Sequence, residues 1–423
     1  MNTKHRLSLL GLAFAILCVS FVCGQEAPPP VPPPTPAAET PPVATPPPAE
    51  PNPAALVVQQ AKDAYKKGAW QDALEAALKA LQLQPKDFDG LYIAGVSERQ
   101  LNRLADAEGH LKSLTEASPK YQLSHFQLGY VLFLQAEGLT RAGQVDPAKA
   151  KYLESAEEFG KELSGTPTHA PSLQSRAIAF AQAGRLDDSV QAHEAWIAAV
   201  PQNKPVVSLA ATYAGAGRGT DAMSALDRLP DKSPKAVFDG MLATAAVFSA
   251  RRDWSGAVPF LEKAASTDET SSKARALLTE ATARAGSAND AARNLQTLLT
   301  LDPTPEEADS VGDAIRATIG DGTKTVTPVG VEPPRVIRVP SPRYPKGQDD
   351  SVQTEVDVLA LVRPDATVGN TVLVPNRIWK DIRKTGFEAA AFDAVKRGKF
   401  AAGTKDGQPA ELWVVIAVKF ARL

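Results

Sequence analysis

Residues able to do covalent or metal chemistry are few in this chain, and they are scattered. The five histidines, His5, His110, His125, His169 and His193, form no HExxH pair and no other metal-ligand spacing. His193 beside Glu194 reads as a pair on a helix surface. Both cysteines, Cys18 and Cys23, fall within the first 25 residues. The rest of the chain therefore has no disulfide framework, no paired-cysteine zinc site and no thiol nucleophile. No nucleophile elbow or phosphate-cradling loop occurs, and Gly215-Ala216-Gly217-Arg218-Gly219 reads as a turn between helices. Catalysis, cofactors and metals are not expected. What remains is noncovalent chemistry, in which aromatic side chains and unpaired backbone groups hold another protein.

Charge narrows the kind of partner. Lys and Arg total 46 against 48 Asp and Glu, a net charge of −2, so the basic face of a nucleic-acid binder is not expected. Of 423 residues 43% are hydrophobic, enough for a sizeable core, and the length suggests two or three domains.

The elements that must position any binding residues follow from a repeat. A small residue with a proline twelve positions later recurs as Ala73 and Pro85, Ala107 and Pro119, Ser189 and Pro201, Ala222 and Pro234, and Ala291 and Pro303. Neighbouring small residues lie 34, 33 and roughly two times 34 apart, with one wider gap, and Ala257 fills the missing slot 35 residues after Ala222. Ala61, Gly95, Gly129, Ala177, Ala210 and Ala245 hold the matching position one helix earlier, and turns such as Lys67-Gly68-Ala69 separate the two helices. The third hairpin carries an insertion around Gly138 to Pro147.

This pattern resembles the tetratricopeptide repeat (TPR), a pair of antiparallel helices, over about residues 54–303 in some seven hairpins. The resemblance implies stacked hairpins whose first helices line a concave surface. Three positions before the small residue stand Tyr92 and Phe126; four positions after it stand Tyr65, Arg99 and Phe133. With Tyr130, the aromatic residues Tyr65, Tyr92, Phe126 and Phe133 concentrate in the first three hairpins. They are candidates for an apolar groove that takes a partner's peptide or helix, or else for packing against the inserted stretch.

Residues 320–341 are rich in Gly, Pro and Thr and read as a linker. Beyond Pro342 the period changes to that of a small α+β module. Strands are predicted around Val352–Val358, Thr367–Val374 and Leu412–Phe420, with a helix over Phe387–Arg397 and a turn at Asp406-Gly407. Pro342, Tyr344 and Pro345 open it as P-x-Y-P. Glu388-Ala389-Ala390 to Val395, Lys399-Phe400, Gly407-Gln408-Pro409 and Val414–Phe420 follow. Together these resemble the C-terminal domain of the TonB family, across residues 342–423. The resemblance implies docking by strand addition, with Leu412, Val414, Ile416, Val418 and Phe420 marking the candidate edge and a buried or self-paired strand as the alternative.

The front end matches this layout. Lys4, His5 and Arg6 precede an uncharged run from Leu7 to Gly24. It reads as a cleaved signal ending before Gln25, a retained anchor, or a lipoprotein signal through Cys23. All three place the remainder outside the cytoplasm. Between Gln25 and Pro53, 14 of 29 residues are proline, a disordered spacer that favours polyproline II.

The expected fold is thus an α-helical TPR-like solenoid (54–319) plus a small α+β TonB-like C-terminal domain (342–423), behind a leader (1–24) and spacer (25–53). The expected function is a cell-envelope adaptor, exported to the periplasm, with protein partners on both parts and no nucleic acid. A TonB-type energy transducer is the alternative, joining an inner-membrane motor complex to an outer-membrane receptor peptide. An envelope hydrolase or its regulator would be a third class, but no residue supports it.

Overall fold

Alanine-rich stretches with larger apolar residues at helical spacing make most of the chain helical, because alanine costs least to order. The computed structural model describes residues 53–320, 330–348 and 353–421. The leader and nearly all of the proline-rich spacer lie outside these residues. Seventeen helices and eight strands occur among the described residues. The chain divides into two compact units, one up to Thr212 and the other from Tyr213.

The first unit holds α1 (Pro53–Lys66), α2 (Trp70–Leu83), α3 (Phe88–Gln100), α4 (Leu104–Ala117), α5 (Ser124–Arg141), α6 (Val145–Gly165), α7 (Ala170–Gln182) and α8 (Leu186–Ala199), with most of α9 (Asn203–Gly215). The second continues with α10 (Gly219–Leu226), α11 (Pro234–Ala250), α12 (Trp254–Thr267), α13 (Ser272–Arg284), α14 (Ala288–Leu298) and α15 (Pro305–Thr318). Each unit is therefore a TPR-like run of antiparallel pairs, and α15 is an unpaired last helix.

One device turns every hairpin. A single residue between the paired helices takes a left-handed backbone: Gly68, Asn102, Gly143, Gly184, Gly217, Arg252 and Gly286, with φ between 58° and 84°. Glycine does so without a Cβ clash; an arginine held there costs about 1 kcal/mol. Close approach then needs small residues at the crossing. Ala61, Ala73, Ala107, Ala177, Ser189, Ala210, Ala222, Ala257 and Ala291 are wholly buried. At Gly95 even a methyl group would come within 2.5 Å of Leu111.

The insertion in the third hairpin lengthens α5 to 18 residues and α6 to 21, with Pro147 in the first turn of α6, where proline is tolerated. Pro234 does not stop the preceding helix, which ends at Leu226; it opens α11, behind a Ser233 cap whose side chain accepts from the Ala236 N–H.

After α15, the chain builds β1 (Val331–Glu332), β2 (Arg335–Arg338), β3 (Thr354–Val362), β4 (Val368–Leu373), α16 (Trp379–Lys384), α17 (Phe387–Lys396), β5 (Lys399–Ala401), β6 (Gly403–Lys405), β7 (Gln408–Ala410) and β8 (Leu412–Phe420). The Gly/Pro/Thr-rich stretch read as a linker thus contributes two strands, β1 pairing with β6 and β2 with β5. Asp406 and Gly407, both at positive φ, form the two-residue turn between β6 and β7, as a primed hairpin turn requires. A three-stranded antiparallel sheet in the order β4-β3-β8 is the centre.

Both faces of that sheet are covered, which explains why its strands read as nearly continuous apolar runs. Val356, Val358, Ala360, Val414, Ile416, Val418 and Phe420 share one face and pack with Phe387, Ala391, Ala394 and Val395 of α17. The opposite face carries Leu359, Val372 and Val415, and it meets Ala292, Leu295, Val311 and Ile315 of the last helices in the same core. Polar ties reinforce this second contact. The Trp413 indole N–H donates to Asn289 at 2.6 Å, and Arg316 pairs with Asp357 at 3.1 Å. Arg377 pairs with Asp309 at 2.8 Å, and Lys380 with Asp302 at 2.6 Å. Within the second unit, the strand-rich module is therefore seated on α14 and α15 as one core.

Candidate functional site

The five aromatic candidates all lie on first helices of the first three hairpins, and they differ in burial. Phe133 is buried and meets Tyr152 of α6 edge-on, with ring centroids 5.2 Å apart. Phe126 lies 5.9 Å from Phe159 and 5.0 Å from the His169 ring. Phe133 belongs to the core of the long third hairpin, and half-buried Phe126 packs against that core together with Tyr130, on whose ring it stacks at 6.1 Å. Tyr65, Tyr92 and Tyr130 are likewise half-buried, and they form the wall of a site.

Helix geometry brings the three together. Tyr92 and Arg99 are seven residues apart on α3, two turns along one face, and Gln127 and Tyr130 stand three apart on α5. The Tyr65 and Tyr92 rings are 6.2 Å apart, and the Gln127 side-chain amide donates to the Tyr92 hydroxyl at 3.4 Å. The Arg99 guanidinium lies over the Tyr130 ring, 5.1 Å from its centroid. Arg99, Gln127 and Tyr121 were not singled out from the sequence as site residues. Only the register that places Arg99 four residues after Gly95 pointed that way.

The electrostatics of this cluster are unusual. Burial pulls the Arg99 guanidinium below its ordinary value, opposed by the Tyr130, Tyr65 and Tyr92 phenols. Among the described residues no carboxylate pairs with it, and its Nε has no hydrogen-bond partner. The Gln127 side-chain oxygen, also buried, lacks a partner as well. Burial likewise raises the Tyr92 phenol. At the rim, Tyr121 donates to Asp89 at 2.5 Å, and Lys62 pairs with the same carboxylate at 2.5 Å. Burial disfavours the Asp89 charge, but these two bonds outweigh it and hold the carboxyl below its usual range. The rim is satisfied and the centre is not.

The remaining histidines have structural work. His193 is no surface residue: it is wholly buried, its Nδ1 2.8 Å from the Ser189 carbonyl and its Nε2 2.9 Å from the Ser208 hydroxyl. His110 meets the buried Glu98 at 2.7 Å, and His125 meets Glu158 at 2.7 Å. Glu162 of α6 caps the neighbouring α5 by accepting from the Phe126 N–H at 3.2 Å, replacing the cap that left-handed Leu123 does not supply. Among the described residues no group of three or more His, Cys, Asp and Glu could hold a metal.

In the module, β8 is the outer strand of its sheet. Val414, Ile416, Val418 and Phe420 bury their side chains, and their backbone groups point toward β3. The register puts the outward backbone groups on the odd positions instead. One of these is occupied, since the Val415 N–H donates to the Gly320 carbonyl at 2.7 Å. Ala417 and Lys419 follow on the same edge with exposed side chains. Leu412 is half-buried at the strand's start. The P-x-Y-P segment has a packing role: Tyr344 meets Phe420 at 5.7 Å and Phe387 at 6.1 Å, while Pro345 lies against Gly386, and Pro342 precedes them as the chain enters.

No protein-family model matches this chain, and no curated protein matches it. Solved structures with paired helices do. The C-terminal part of a TPR repeat-containing protein from Cytophaga hutchinsonii is similar at 16% identity, over 61% of this chain and 99% of that one, with a TM-score of 0.42. A tetratricopeptide repeat protein from Parabacteroides merdae is similar at 15% identity, over 62% and 97%, with a TM-score of 0.38. A MamA protein is similar at 16% identity, over 41% and 88%, with a TM-score of 0.35. The assignment of paired-helix repeats here rests on the hairpins themselves. Among the described residues no helix is long and apolar enough to cross a membrane.

Proposed function

We propose that this chain is a protein-binding adaptor of the cell envelope. Its first three hairpins grip a partner segment, and its strand-rich module offers a second contact. One observation carries the reading: three half-buried tyrosines from three successive first helices surround a single guanidinium on one face. Such a surface exposes stacking area and hydrogen-bonding tips together, the composition enriched where proteins bind proteins. Export is supported by the basic start, the apolar run to Gly24 and the proline-rich spacer. The second contact is a strand added to the outer edge of β8 through Ala417 and Lys419; the resemblance of Pro342, Tyr344 and Pro345 to the TonB-family entry supports it. A TonB-type energy transducer is the alternative on the same resemblance. It is the weaker reading because the module is seated on α14 and α15 instead of hanging free.

The test is photo-crosslinking in the full chain from a reactive residue placed at Tyr92, with exposed Lys79 on α2 as the control position. A discrete protein adduct is expected from position 92 and absent from position 79. No adduct from 92, or the same adducts from both, contradicts the proposal.

A further inference from the structure

We propose that Arg99 receives the side-chain carboxylate of an Asp or Glu lying inside the partner segment. This rests on the reading of the tyrosine face as a binding groove. A guanidinium withdrawn from water without a counter-charge is costly, and folded proteins normally pair it. Arg99 is withdrawn, yet it stacks on Tyr130 of α5, and the titratable groups that act on it are phenols alone: Tyr130, Tyr65 of α1 and Tyr92 of α3. Stacking on Tyr130 orients the guanidinium plane, with the Nε–H turned into the protein and buried without an acceptor. A carboxylate can instead take the N–H groups of the two terminal nitrogens together, the fork geometry that makes arginine selective for planar anions. The carboxylate on the rim, Asp89, is committed to Lys62 and Tyr121. Within the groove the acceptor must come from outside.

Tyrosines flank Arg99 on both sides, which makes the acid internal to the bound segment and not its chain end. Backbone on either side of the acid then crosses Tyr65 and Tyr92 in one direction and Tyr130 in the other. Partners are thus sorted by one acidic residue set among apolar or aromatic neighbours.

The experiment is selection from a random peptide display library on the full chain, on Arg99→Met and on Tyr92→Ala, followed by affinity measurement. Wild-type selections are expected to share one Asp or Glu position. Its replacement by Asn or Gln in the best peptide weakens binding roughly tenfold or more, as for a hydrogen bond to a charged group. Arg99→Met removes that discrimination and raises Tm, because it deletes an uncompensated charge while keeping apolar bulk. Selections without an acidic position, or an unchanged acid preference in Arg99→Met, overturn the inference. So does a lowered Tm in Arg99→Met, which makes Arg99 a structural strut. Peptides that bind without acid preference and are lost in Tyr92→Ala sink this inference alone. Failure to select any peptide sensitive to Tyr92→Ala sinks the groove itself.

Discussion

Replacing Gly312 with alanine is expected to destabilise the second unit by roughly 2–3 kcal/mol, although alanine is the better helix former. Gly312 lies inside α15, and an added Cβ would sit 2.0 Å from the Pro375 carbonyl oxygen, a backbone atom that cannot swing away. The helix and the segment after β4 must then separate by more than an ångström. That movement would strain the Trp413–Asn289 bond and the Arg316–Asp357 pair, and open the shared core around Val311 and Ile315. Gly109 in α4 is the control. It too is inside a helix, but a Cβ there meets nothing within 4 Å, so Gly109→Ala should stabilise by up to about 1 kcal/mol. Urea unfolding of both variants, followed by tryptophan emission, separates contact from propensity. Equal gains at the two sites would mean that the module does not rest on α15.

Acid should open the first unit around His193. Burial is the main reason its imidazole is pushed down to about 4, against the pull of the Ser189 carbonyl and of Glu194 beside it on α8. As neutral imidazole it donates from one nitrogen to the Ser189 carbonyl and accepts on the other from Ser208; as imidazolium it has no acceptor left for Ser208. The folded value lies below the unfolded one near 6.5, so the unfolded chain binds more protons between these values. Stability is complete above about pH 6.5 and falls as pH drops toward 4, by about 3 kcal/mol in total at 1.36 kcal/mol per unit. His110 runs the other way: its hydrogen bond to Glu98 raises it, so its contribution is present below pH 6.5 and is lost as pH rises through the raised value. His193→Gln cancels every other titrating group from the comparison. Wild type should lose about 3 kcal/mol more than His193→Gln between pH 6.5 and 4, read from Trp196, whose ring lies 6.1 Å from His193. Parallel pH profiles would contradict this.

Much of the helical part was legible because packing demands a local signature. Two helices cannot close on each other without a small residue where they cross, so Ala73, Ala107 and Ala222 announce the hairpins at a fixed period. The turn between β6 and β7 was legible for a similar reason, since Asp406-Gly407 is what a two-residue hairpin turn requires. Contacts between distant segments leave no such mark. Trp413 and Asn289 are 124 residues apart, and nothing in either neighbourhood announces the bond. β1 and β2 are only two and four residues long and sit in a Gly/Pro/Thr-rich stretch, so they read as a connector. His193 was misplaced because an alanine-rich helix buries more than one face, and its sequence does not say which is dry. The aromatics were found by register, but the burial of Phe133 depends on the longer α6, which gives it Tyr152 to pack on. The isolation of Arg99 is a statement about absent neighbours, which no local motif encodes.

Hydrogen exchange of the full chain, with and without a peptide selected on it, tests the groove most directly. Slowed exchange is expected in the stretches covering α1, α3 and α5, with α2, α4 and α6 unchanged on their outer faces. Protection that instead maps to the second helices, or to neither set, would show that the tyrosine face around Arg99 is not where partners bind.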